Sequence, residues 1–165
     1  MTSKVILCIA IVAFTSFCGY LCAKPYRKRK QFFIQFKEFN DRFINEISYL
    51  KRPIEVFLFQ YHYKGEFKLF LEDYFKTIQN KDCDVKEILT YSEYSFLKRD
   101  EKDLILGYFS MLGKGDSLSQ KNYYNASKEL IAKLQINTEM DYKKRGEIYI
   151  KLGFLFGILI LILII

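Results

Sequence analysis

The sequence has 165 residues, enough for one domain with short appendages; half are hydrophobic and 18% are aromatic. Its formal charge of +7 invites a nucleic-acid reading, but the excess lies outside residues 31–142, where only Glu147 opposes a set of lysines and arginines. Between those limits acids slightly outnumber bases, so the domain carries no electrostatic footprint for phosphates and nucleic acid is excluded as a partner.

The first element is an apolar run, Val5 to Ala23, long enough as a helix to cross a bilayer. Lys24-Pro-Tyr-Arg-Lys-Arg-Lys follows at once, placing Lys24, Arg27, Lys28, Arg29 and Lys30 beside the run. Two readings compete: a signal peptide cut after Ala23, or a retained span whose basic flank stays in the cytoplasm. The flank favours retention. Cys8, Cys18 and Cys22 lie in or beside this run and Cys83 stands alone, so no disulfide can staple the soluble part.

A helix is expected from about Tyr26 to Leu50, because Phe32, Phe36, Phe39, Phe43, Ile47 and Leu50 recur at steps of three and four. Such a stripe is read as core. Pro53 suits the first turn of a second helix ending near Gly65. Three more are predicted: Glu66–Gln79 with Phe67, Phe70, Tyr74 and Phe75; Val85–Leu97 after a polar break; and Asp100–Leu112, capped by Asp100.

Leu112-Gly-Lys-Gly-Asp-Ser-Leu-Ser-Gln is the strongest punctuation. Gly113 is placed to end one helix, and Asp116 or Ser117 to cap the next, Ser117 with Gln120 forming a capping box. No proline follows, so the last helix is expected to run from Ser117 into the terminal apolar run as a stiff strut, weakest at Gly146. Ala126, Leu130, Ile131 and Leu134 are its expected core positions.

The terminal run, Leu152 to Ile165, carries no charge and extends back through Ile148, with Lys151 snorkelling to the headgroups. Lys143, Lys144 and Arg145 precede it and again hold the near side in the cytoplasm. Gly153 and Gly157 share one helical face, open to close approach by another helix. Pairing with the chain's own first run, where Ala10, Ala13 and Gly19 are small, is preferred over pairing with a second copy. The expected organisation is all-α: a transmembrane helix over 1–23, a cytoplasmic bundle of about five to six helices over 24–147, and a transmembrane helix over 148–165.

Candidate chemistry is sparse. His62 is the single histidine, and Gly113 and Gly115 lack the rest of a phosphate loop. Asp82, Asp84 and Glu87 read as a solvated helix start. The expectation is a protein without catalytic residues, cofactor, metal or small-molecule substrate, whose partners are the lipid bilayer and other proteins.

Three stretches resemble stage III sporulation protein AB. They are Glu46-Ile-Ser-Tyr49-Leu-Lys-Arg-Pro53-Ile, then Leu112-Gly-Lys-Gly-Asp-Ser-Leu-Ser-Gln, then Lys151-Leu-Gly-Phe-Leu-Phe-Gly. Their order and spacing match that family end to end, apart from residues 55–97, which show no match. The resemblance implies a component of the channel joining mother cell and forespore. It also implies a soluble domain similar to the platform proteins of type II secretion and type IV pilus machines. Partners would be other channel proteins and the assembly's ATPase. A membrane-tethered sensor or adaptor, binding a soluble ligand or signalling partner, is the alternative from a different class.

Overall fold

The computed structural model describes residues 2–49, 62–80, 85–112 and 117–164, and all regular structure among them is helical. Helix α1 spans Thr2–Tyr49, α2 Gly65–Asn80, α3 Val85–Thr90, α4 Arg99–Ser110, α5 Ser117–Asp141 and α6 Glu147–Ile164. A 3-10 turn occupies Ser92–Tyr94, and a π-helical turn, Tyr142–Gly146, joins α5 to α6. The all-α architecture and the passage of the last helix into the terminal apolar run are both as the sequence led one to expect. The helix begun by Pro53, together with Gly113 and Asp116, lies outside the described residues. The chain divides into two compact units, residues 28–136 and residues 1–27 with 137–165.

Unit 28–136 is a bundle built on aromatic rings. Phe32, Phe36, Phe39 and Phe43 are buried as the stripe requires, and Phe33 and Ile44 widen the buried face beyond it. Phe67, Phe70 and Tyr74 of α2 meet Tyr108 and Phe109 of α4 around them. Two of the close contacts are edge-on: Phe70–Phe109 at 4.8 Å and 73°, and Phe36–Tyr108 at 4.9 Å and 84° between ring centroids. That geometry sets a positive ring edge against a negative face, adding about 1 kcal/mol per pair beyond area burial. Gly65 opens α2 with φ +62°, a conformation costly for a side chain, while the neighbouring Lys64 N–H donates to Gln35 Oε1 at 3.0 Å.

Local structure departs from the sequence reading in four places. No break separates the first apolar run from the phenylalanine helix, because α1 continues through Pro25, which removes one helical hydrogen bond but not the helix. The helix expected over Val85–Leu97 stops at Thr90. Ile88 and Leu97 are both buried, yet nine residues apart they would point to opposite sides of one helix, so the chain turns instead. Asp100 does not cap α4; Lys98 N–H donates to Glu101 Oε2 at 2.9 Å, and Asp100 stays exposed. On α5, Tyr124 and Ile131, seven apart, face the core, leaving Ala126 exposed and Leu130 49% exposed; Leu134 packs at the edge.

The buried tyrosines make the bundle alkali-sensitive. Burial pushes the Tyr74 hydroxyl up to about 12, and its O–H donates to the Phe109 carbonyl at 3.0 Å. Burial also raises Tyr94, Tyr108 and Tyr124, with Asp73 adding to the effect at Tyr94. A phenol whose folded value is raised contributes stability that is complete below its unfolded value, near pH 10. That contribution disappears as pH climbs towards the folded value. Unfolding midpoints should therefore hold to about pH 10 and fall steeply towards 12. A spectrophotometric titration with all tyrosines ionising near 10, without loss of helicity, would contradict this.

Candidate functional site

The second unit, residues 1–27 and 137–165, is an antiparallel pair of long helices in contact through small residues. A Cβ built on Gly19 would lie 2.5 Å from the Tyr149 carbonyl oxygen and 3.1 Å from the Gly153 Cα. One on Gly153 would lie 2.6 Å from the Thr15 carbonyl oxygen and 3.0 Å from the Gly19 Cα, and one on Gly157 3.0 Å from the Val12 Cα. Such separations leave no room for a side chain on any of the three glycines. Thr15 keeps its hydroxyl within α1, against the carbonyls of Ile11 and Val12 at 3.1 Å each.

The order of these contacts, Val12 with Gly157, Thr15 with Gly153 and Gly157, and Gly19 with Gly153 and Tyr149, fixes the antiparallel register. Further along, Gly146 packs beneath the Tyr142 ring and near the Tyr26 Cβ, and the Tyr26 and Tyr149 rings stack at 6.0 Å. Gly146 closes the π turn, so the expected uninterrupted α-helical strut is widened there.

Large apolar side chains point away from the contact. Phe14, Phe17, Phe154, Leu155, Phe156 and Ile162 are each more than half exposed, while Gly157 and Gly19 are buried. The helices thus place small residues inside and bulky apolar ones outside, the reverse of a water-soluble pair. By length and composition, two helices are able to cross a membrane, one drawn from α1 and one from the α5–α6 run.

The basic residues divide. Lys24, Arg27, Lys144, Arg145 and Lys151 are exposed on the helix pair, and Lys143 bonds Glu139 at 3.5 Å. Lys28 instead bonds Glu66 of α2 at 2.6 Å. Arg29, grouped by sequence with the membrane-flanking cations, is buried inside the bundle. Its Nε donates to both Glu101 carboxylate oxygens, at 3.0 and 2.9 Å, and Nη2 to Oε1 at 2.5 Å. This two-pronged fit keeps the charge of each partner compensated where water is absent. Lys30 is half-buried. No periodic signal marks Arg29 as internal; its selection depends on a carboxylate seventy-two positions away.

A second buried polar contact, Tyr108 O–H to Asn40 Oδ1 at 2.8 Å, joins α4 to α1. On the same stretch, burial would raise the Asp41 carboxyl, but Lys37 and Lys128 outweigh it and hold the group below its ordinary range. Glu46 lies half-buried on α1, Tyr49 ends that helix, and Pro53 falls outside the described residues. Ser117 begins α5, and Gln120 sits half-buried one turn on. Among the described residues no cluster of three or more histidines, cysteines or carboxylates is placed to hold a metal.

A family model described as stage III sporulation protein AB matches residues 4–165. No curated protein and no solved structure matches the chain.

Proposed function

The chain belongs to the stage III sporulation protein AB family, and on that premise we propose that it is a non-enzymatic platform of the channel between mother cell and forespore. The observation that carries the reading is a family match over nearly the whole chain, spanning both the helix pair and the aromatic bundle. The inverted helix pair supports insertion in a membrane, since bulky apolar surface faces outward and close backbone contact faces inward. The basic residues at the bundle-proximal ends of both helices support a cytoplasmic bundle by the positive-inside rule.

In this reading α1 and the α5–α6 run anchor the bundle in the mother-cell or outer forespore membrane. The bundle then presents a fixed surface to other channel proteins and to the assembly's ATPase. Its aromatic residues serve packing, which suits a part that must hold shape rather than turn over substrate. An in-frame deletion in the sporulating host should abolish heat-resistant spores, and the full-length gene should restore them. Normal spore counts from the deletion strain would remove the sporulation role altogether.

A further inference from the structure

Each long helix carries an irregularity, and the two lie at one level. On α1 it is Pro25, which has no N–H to give to the Leu21 carbonyl four residues back and whose ring crowds that carbonyl. On the facing helix it is the π turn Tyr142–Gly146, where the Glu147 N–H donates to the Tyr142 carbonyl, five residues back instead of four. Tyr26, next to Pro25, has its Cβ 3.4 Å from a Cβ built on Gly146, the residue that closes the turn, and its ring stacks on Tyr149 at 6.0 Å. The register set by Gly19 and Gly153 carries the same alignment along the pair.

Prolines and π turns are sites at which helices bend. Two helices held side by side bend at a level only when both yield there; a weak point in one alone is splinted by the other. Towards the apolar ends the glycine contact clamps the pair, since backbone meets backbone with no side chain between. At the level of the irregularities the surface is polar: Lys24, Lys143, Lys144 and Arg145 are exposed, and so is Pro25. Water therefore reaches a carbonyl freed there, as it does not deeper in the apolar runs. The turn holds one residue more than an α turn. In an unbroken α-helix Arg145, seven residues after the buried Thr138, would take the inward position. The extra residue leaves Arg145 exposed and brings in the buried Gly146, on the side of Gly153 and Gly157.

We propose that Pro25 and the π turn form one paired hinge at which both helices bend together, so that the apolar pair changes tilt as a body with its glycine contact intact. A pair that tilts at the headgroup level follows changes in bilayer thickness without unpacking. That use of the hinge rests on the membrane reading given above; the hinge itself rests on the helix geometry.

Hydrogen exchange read by mass spectrometry tests this on the full-length chain, in phosphatidylcholine nanodiscs and in detergent. Pro25→Ala, which restores the missing donor, should slow exchange over residues 20–30 and also over residues 140–150 of the other helix. Each stretch should slow by on the order of fivefold, the worth of one hydrogen bond. Deleting Lys144 should slow the same two stretches, and the two changes together should do no more than either alone. The deletion should also preserve an oxidative dityrosine bridge between Tyr26 and Tyr149, because losing the extra residue turns the π turn into an α turn without rotating Gly153 away from α1. Changes confined to the helix that carries each variant, or slowing that spreads equally to Arg99–Ser110 in the bundle, overturn the paired hinge. Loss of the bridge on deletion shows that the turn sets the register instead of yielding, and overturns it too. Extraction of the chain from vesicles by alkaline carbonate overturns the membrane reading and the tilt in lipid, while exchange in detergent still decides the hinge.

Discussion

A chain carrying Gly19→Ile and Gly153→Ile should lose the contact between its two apolar helices while its aromatic bundle remains folded. Even a methyl group at either position would meet backbone atoms of the facing helix at 2.5 to 3.1 Å. Backbone cannot turn aside as a side chain can, so the helices must separate, and with separation the close packing that holds them in lipid is forfeited. Overpacking costs about 1–3 kcal/mol per site, equivalent to about tenfold or more in the paired fraction. An oxidative dityrosine bridge between Tyr26 and Tyr149, whose rings stack at 6.0 Å, provides the measurement and leaves every glycine of the contact in place. The bridge should form within one chain and fail when the two isoleucines are added. A bridge that joins two chains instead would place the glycine contact between copies. A bridge indifferent to the isoleucines would remove the glycines from the account.

Glu101→Ala should be the most damaging single change in the bundle. It strands the Arg29 guanidinium, whose side chain is 8% exposed, without its carboxylate, and it removes the acceptor of the Lys98 N–H at the start of α4. Removing one partner of a buried pair typically costs about 3–5 kcal/mol, because the remaining charge stays desolvated. The loss of the cap acceptor adds about 1 kcal/mol. Replacing both partners by apolar residues of similar size, Arg29→Met with Glu101→Leu, should recover most of the loss, because no charge is then left behind. Denaturant unfolding followed by circular dichroism in detergent reads both. A single-variant cost under about 1 kcal/mol would mean that the guanidinium reaches water.

Arg29 also shows where reading along the chain stops. Among the five cations of Lys24–Lys30 it is chemically ordinary, and its neighbours Lys28 and Lys30 share the same composition and flank. Only the packing of α4 against α1 selects it, by bringing Glu101 within reach of three of its hydrogen bonds. The same limit appears on α5. Ala126 and Leu130 satisfy an apolar periodicity as well as Ile131 does, but the facing side of α4 offers the Tyr108 ring, and Tyr124 meets it at 4.7 Å.

The sequence by itself determined whatever one helix can encode: the phenylalanine face of α1, the helical class throughout, the apolar runs with their basic flanks, and small residues on one side of the last helix. These are local properties, set by which residues recur every three or four positions and by where charge accumulates. The tertiary structure alone decided register and distant partners: Val12 and Thr15 beside the glycines while Ala10 and Ala13 stay exposed, Arg29 against Glu101, Tyr124 rather than Ala126 against the core. It also decided that the last helix widens into a π turn where Gly146 lies beneath Tyr142. Those choices depend on fit and desolvation between segments far apart in the chain, which periodicity within either segment does not carry.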